Sequence, residues 1–513
     1  LTFETADMDY VSHHQKTPDV TFDGGPLDCG NGLLLLIRRH IDPLPAGGLL
    51  EIRSTESTVA EDLPAWCRMT QNALLSVVHS DSNSWSFLVR KKGQADEADV
   101  AINQPTLKAV SAAGSSSTTQ SSALPQPAPA PELPPLAIMG IGSWPRPRWM
   151  LEAIHDHVSG KLADEAFHET ADDAVRLCVQ AQQRAGVDVI TDGEQRRDSY
   201  ASFVGGLLDN CQLIPITDLL PYVDDPEEFE SELRALDVPA GEVRHPAVFG
   251  KIARSRPLAV HELDFARSLT DGPIKVALPG PYLLTRTMWL ECVSDRAYES
   301  REELADDIVA VLRAELFHLL AAGASIVQFD EPVLTEVVFG APQGGRSFMC
   351  GALSEKRSQQ EELDFASSLL NRVVADAPQE RTAIHICRGN WSRNEAVALA
   401  GDYRPLLPML SELQVGGYFL EACTPRAGEL EVLASLPEDR RIGIGVVNQK
   451  LDAVEPIAEI RQRIAAAIDL IGADRLVLTP DCGFATFADN PIASAQIAEA
   501  KLAAIVTARN ELR

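Results

Sequence analysis

Apolar and polar positions change their pattern twice along the chain, and the changes outline three regions. From about 136 to 513, short apolar runs alternate with long amphipathic ones. The short runs are 136–142 "LAIMGIG", 187–191 "VDVIT", 274–278 "IKVAL", 325–329 "SIVQF", 382–387 "TAIHIC", 415–420 "VGGYFL", 441–446 "RIGIGV" and 475–479 "RLVLT". Each reads as a strand buried on both faces. Segments between most of them, such as "REELADDIVAVLRAELFHLLAAG", carry helical spacing. Eight strand–helix units predict an α/β fold of the (β/α)8 TIM-barrel type, with a doubly wound open sheet as the competing arrangement. Segment 204–273 is long for one connection and predicts an extra excursion there.

Residues 17–93 have a different rhythm. "DVTFDGG" predicts a strand, "NGLLLLIRRHIDPL" a helix, "GGLLEIRST" a strand and "STVAEDLPAWCRMT" a capped helix. "ALLSVVHS" and "SWSFLVRKK" predict a hairpin across "DSNS". The order β-α-β-α-β-β predicts a two-layer sandwich domain, preceded by a tail over 1–16. Between the two domains, 94–135 is poor in aromatics and rich in Ser, Ala, Pro and Gln. It predicts a disordered linker whose Pro-rich end favours polyproline II.

Composition narrows the function classes. With 513 residues and 45% hydrophobic content the chain can build more than one core. A net charge of -29 argues against nucleic acid and anionic membrane as partners. The apolar run "LLLLI" (33–37) is far too short to span a bilayer, and no stretch reads as a signal peptide. The nine cysteines are widely dispersed, which argues against a disulfide framework and predicts a reducing, cytoplasmic setting.

In a barrel, chemistry gathers at the C-terminal ends of the strands. The predicted strands end, in order, in "IGSWP", "TDGEQRRD", "LPGPYLLT", "QFDEP", "HICRGN", "LEACTPR", "GVVNQK" and "TPDCGF". His385 and Cys387, two apart in a strand, share one face. With Glu421 ending strand six and Cys482 ending strand eight, they make a tetrahedral N/S/O donor set suited to zinc. Cys423, two residues beyond Glu421, is a rival ligand.

The ordered motifs "IGSWP", "DGEQRRDSY", "GP", "DEP", "HIC", "LEA", "GVV" and "PDCG" make 136–513 resemble the C-terminal catalytic domain of cobalamin-independent methionine synthases. The resemblance implies the same four zinc ligands. It also implies that Ile141, Gly142, Ser143, Glu194 and Asp330 hold an amino-acid thiol such as homocysteine. The reaction implied is methyl or alkyl transfer to that thiol from a carbon donor, a methylated folate among the candidates. Zinc would supply the thiolate that a free thiol near neutral pH does not. Three features depart from the family. The residues before 136 do not read as its second barrel-like half. Lys450 stands where a proton-donating histidine is expected, with Asn448 in place of an acid. The tryptophan that follows the "GP" turn has only Thr287 and, two residues on, Trp289 as counterparts.

The small domain resembles TusA-like sulfur carriers in element order and in Cys29 of "LDCGNG", placed just before a helix whose amides would favour a thiolate. The carriers have Cys-Pro there; this chain has Cys29-Gly30. The resemblance implies an alternative function: a sulfurtransferase in which a Cys29 persulfide, loaded by a persulfide donor protein, delivers sulfur to the barrel. Cys67 is expected in the core.

Overall fold

A computed structural model describes residues 13–27, 32–80, 84–92, 124–158, 160–216, 244–289, 294, 297–340, 357–428 and 430–512. The chain divides into two compact units, Leu1–Leu124 and Pro125–Arg513.

In the first unit, strands β1 (Val20–Asp23), β2 (Leu49–Ser54), β3 (Ala73–Ser80) and β4 (Ser84–Arg90) form one sheet in the order β1-β2-β4-β3. β1 runs parallel to β2, and the β2–β4 and β3–β4 pairs are antiparallel. Helices Leu33–Ile41 and Val59–Met69 connect the first three strands. Leu33, Ile37 and Ile41 recur at helical spacing and bury one stripe, as do Val59, Leu63 and Trp66. Both stripes share a core with Leu50, Ile52, Phe87 and Val89 of the sheet. Cys67 lies in that core, and burial pushes its thiol up to about 12, so it is inert packing. Cys29 falls outside the described residues.

The second unit is built on strands β5 (Ala137–Ile138), β8 (Lys275–Pro279), β9 (Ile326–Asp330), β10 (Thr382–Ile386), β11 (Gly417–Leu420), β12 (Arg441–Val447) and β13 (Leu476–Pro480). All pairs are parallel, in the order β5-β13-β12-β11-β10-β9-β8. The predicted strand at 187–191 forms only single bridges, Met139 to Val189 and Ile190 to Ile274. The Asp188 carboxylate takes the Ile138 N–H that a continuing ladder would use. These bridges nevertheless join the two edges, β5 and β8, and curl the sheet into a barrel-like ring. An open doubly wound sheet would leave both edges free.

The interior is filled by Met139, Ile141, Val189, Ile326 and Phe419. Gly443 has no side chain because a Cβ there would enter the Phe419 ring. The expected excursion is present as an antiparallel hairpin of β6 (Asp209–Pro215) and β7 (Arg244–Ala253). Not every connection is an α-helix. Between β11 and β12 the described residues make only short 3-10 turns, Pro425–Ala427 and Leu430–Ser435. Among the described residues no helix is long and apolar enough to cross a membrane.

The expected linker over 94–135 is corrected at its C-terminal end. Ala128 donates its N–H to the Leu320 carbonyl at 3.1 Å, and its own carbonyl accepts from Arg381 at 2.6 Å. An extended proline-rich strand leaves its carbonyls open, and here they are used for docking. Residues 125–135 therefore belong to the large unit.

Candidate active site

A cleft opens at the C-terminal ends of the strands. Its lining includes Ile141, Ser143, Glu194, Asp330, His385, Cys387 and Cys482, drawn from five different strand ends. One wall carries soft donors, the other carboxylates.

On the donor wall, ligand atoms of His385, Cys387 and Cys482 lie within 4.8 Å of one another, and all three residues are buried. The two sulfurs are 3.3 Å apart, and Cys482 Sγ is 3.5 Å from His385 Nε2. His385 Nδ1 lies 3.1 Å from the Phe419 carbonyl, which can only accept, so Nδ1 carries the proton and Nε2 presents a lone pair. Burial, helped by Lys275, lowers the His385 pKa to about 3, so the ring is neutral at physiological pH. The bond to Cys387, together with burial, holds the Cys482 thiol well above its ordinary range. Two thiols and a neutral imidazole packed together at a buried site make a poor apolar core and a good soft-metal cradle. The set suits zinc with an open position.

Glu421 is buried beside this group but is not part of it. Its Oε1 accepts the Arg388 N–H at 2.8 Å and its Oε2 accepts from Arg426 at 3.0 Å. The rival Cys423 is directed elsewhere: its thiol donates to Asp481 Oδ2 at 2.8 Å, and Asp481 Oδ1 also takes the N–H groups of Ala422 and Cys423.

The carboxylate wall is shaped by backbone. Glu194 has φ +55° and follows Gly193 at φ +74°, a left-handed pair. Asp192 Oδ1 accepts the Glu194 N–H, and Arg146 donates to the Glu194 carbonyl at 2.5 Å. This aims the Glu194 carboxylate into the cleft, where Oε2 has no hydrogen-bond partner among the described residues. Asp330 Oδ1 accepts from Gln328 Nε2 at 2.7 Å. Burial raises Glu194 to about 7, against the pull of Arg197 and Arg146. Burial, and then the nearby Glu194, raises Asp330 to about 8. Two desolvated carboxyls with spare acceptor capacity could take a cation once ionised. Ser143 Oγ accepts the Ala485 N–H at 3.3 Å, and a Cβ at Gly483 would collide with that oxygen.

Gly142 does not line the cleft but fits tightly beneath it. A Cβ there would collide with Glu194 Oε1. We expect Gly142→Ala to displace that carboxylate and weaken amino-acid binding about tenfold, the loss of one charged hydrogen bond. Calorimetric titration with methionine checks this; unchanged affinity would show that Glu194 does not bind the ligand.

The other sequence expectations fall as follows. Lys450 is buried outside the cleft lining, donates to the Gly389 carbonyl at 3.0 Å, and has its pKa lowered by burial against the pull of Cys387 and Glu421. Asn448 Nδ2 donates to Glu395. Thr287 bonds the Leu283 carbonyl within its own helix, and neither it nor Trp289 lines the cleft. The cleft aromatics are instead Trp391 and Tyr200. Trp391 directly follows "HICRGN", four residues after Cys387, and Tyr200 ends "DGEQRRDSY". Asn390, which also lines the cleft, donates to the Gly483 carbonyl at 2.7 Å and so ties strand end five to strand end eight.

A parallel barrel-like α/β domain with an imidazole–dithiol cluster facing a carboxylate pair defines the class: an α/β barrel-like protein with a strand-end site whose residues could hold a soft metal and a cationic ligand. Within that class the chain belongs to the cobalamin-independent synthase family, whose catalytic-domain model matches residues 136–218 and 234–506. It is 28% identical over 353 residues to a methionine synthase of Sulfurisphaera tokodaii, covering 69% of this chain and 87% of that one. It is 27% identical over 384 residues to a methionine synthase of Saccharolobus solfataricus, covering 74% and 96%. A B12-independent methionine synthase from Shewanella sp. W3-18-1, solved in complex with selenomethionine, superposes with TM-score 0.55 and 25% identity over 74% of this chain and 99% of that chain.

Proposed function

We propose that the chain transfers a methyl group to the thiol of homocysteine or a close amino-acid relative, using zinc held by His385, Cys387 and Cys482. The observation that carries this reading is the opening of the donor cluster and the Glu194–Asp330 pair into one cleft. The relatives named as methionine synthases and the selenomethionine-bound neighbour support it. Zinc, when bound, would keep the substrate sulfur as a thiolate near neutral pH.

The chain's own residues do the rest. Glu194 and Asp330 grip the substrate ammonium, and in doing so give up the protons that burial makes them hold. The Ser143 hydroxyl bonds the substrate carboxylate. The sulfur–carbon bond forms as the donor–carbon bond breaks, and the leaving group takes the electron pair; a folate amine would also take a proton, matching the one the thiol released, whereas a sulfonium or quaternary ammonium leaves as a neutral molecule without one. Lys450, whose positive charge lies near Cys387 and Glu421, is the cation for that side. Glu421, beside the cluster, is the candidate fourth ligand, since each of its oxygens keeps a lone pair beyond its bond to Arg388 or Arg426. The sulfur-delivery alternative rests on Cys29, outside the described residues, and is left aside.

Zinc-loaded protein should convert homocysteine to methionine with a methyl donor found among methylated folates, sulfoniums and quaternary ammoniums, read by mass spectrometry. Methylation that persists undiminished in His385→Ala would overturn the assignment of the metal cluster.

A further inference from the structure

A lysine lies inside the barrel below the cleft. Lys275, at the start of β8, is 1% exposed. Its Nζ donates to Gln328 Oε1 at 2.7 Å and lies 4.5 Å from the centre of the Phe419 ring. Gln328 Nε2 in turn donates to Asp330 Oδ1 at 2.7 Å. Gln328 and Asp330 are two apart on β9 and so share a face. The result is a ladder running through the barrel interior to the carboxylate wall.

Resting on the reading of Glu194 and Asp330 as the ammonium site, we infer that Lys275 is a positioning residue for substrate, acting through Gln328 on Asp330. The reason is hydrogen-bond polarity. Burial lowers the Lys275 pKa to about 7 while Asp330 and Glu194 pull it back up, so its charged form goes with ionised carboxyls; that ammonium has donors only, so the Gln328 oxygen then faces Lys275. The amide's NH2 group must then face Asp330, where it can meet only an acceptor. One Asp330 oxygen is thereby held by a donor, and the carboxylate is set for a cation. Without Lys275 the amide is free to turn its oxygen toward Asp330, which favours a protonated carboxyl and opposes ammonium binding. Lys275 and Asp330 also attract one another, so the buried cation favours the carboxylate form. Direct repulsion between Lys275 and the substrate ammonium opposes this effect, and tighter methionine binding in Lys275→Met would show that it dominates.

The test compares two probes on the zinc-loaded full chain: methionine, and 4-(methylsulfanyl)butanoate, which lacks the amino group. Lys275→Met should weaken methionine about tenfold and leave the amine-free probe unchanged. In an Asp330→Asn background, Lys275→Met should have little further effect, because both changes break one ladder. Gln328→Leu cuts the same ladder at its other link and should give the same selectivity loss, which covers the case of a poorly folding Lys275→Met. Equal weakening of both probes would mean a structural role and overturn the inference, as would tighter methionine binding or additive losses. A wild-type chain with no preference for the amine-bearing probe would sink the substrate reading itself. A wild-type preference that survives both variants would overturn this inference alone.

Discussion

Cys482→Ser is expected to abolish zinc retention and thiol methylation together while leaving the fold intact. Cys482 sits at the end of β13, and its sulfur is the donor that meets both Cys387 and His385. Serine keeps the volume nearly constant but is a hard, weakly acidic donor that does not replace a thiolate. Loss of a residue that only supports a metal ligand costs roughly 10–100-fold in affinity, so loss of a ligand should cost more than about a hundredfold. The measurement is metal content after dialysis against a chelator, with circular dichroism as the check on folding. A Cys482→Ser protein that keeps a full equivalent of zinc would remove this residue from the site. Cys423→Ser is the matched control. Its thiol serves Asp481, and zinc content should be unchanged.

The second large effect is at Asp330. Asp330→Asn should weaken methionine binding by roughly 10–100-fold at pH 8, the range for a lost charged hydrogen bond. The pH dependence has a definite sign. The ligand-free carboxyl is raised to about 8, so at neutral pH it is largely protonated. An ammonium requires the anion, so wild-type affinity should rise with pH from 6 toward 8, by up to about tenfold per unit for each carboxyl that must ionise. Asp330→Asn should lose the part of that slope due to Asp330, leaving that of Glu194, whose carboxyl is raised to about 7. The stability of the ligand-free protein has the opposite sense. A carboxyl with a raised folded pKa binds more protons folded than unfolded, so its contribution falls as pH rises from about 4 to 8. Asn remains neutral throughout. The variant should therefore bind worse yet melt higher than wild type above pH 8, a trade of stability for function. Methionine affinity that is flat with pH in the wild type would count against a buried carboxyl as the ammonium site.

Several elements were legible because local pattern and tertiary environment agree. Each barrel strand is a short apolar run because both faces are covered, and β8 through β13 fall within a residue or two of the predicted runs. His385 and Cys387 declare themselves by period two, since a strand repeats its facing every second residue. "DGE" and "DEP" stand out because acidic residues directly follow an apolar strand, where a purely structural chain has little use for them.

What tertiary structure decided is where distant residues meet. The sequence could rank Cys423 against Glu421 only by proximity to a strand end. In space, Asp481 takes the Cys423 thiol, while Arg388 and Arg426 hold Glu421 beside the cluster. The segment 187–191 has the composition of a strand, but the Asp188 carboxylate takes a ladder donor, so pairing falls to single bridges. Lys275 reads as an ordinary charged strand residue, and only ring closure puts it inside the barrel, 2.7 Å from Gln328. Residues 125–135 carry the composition of a linker and dock because Arg381, some 250 positions later, reaches the Ala128 carbonyl. Periodicity and composition record which face of an element is buried; they carry no record of which partner arrives there, because that is set by how the strands close around one another.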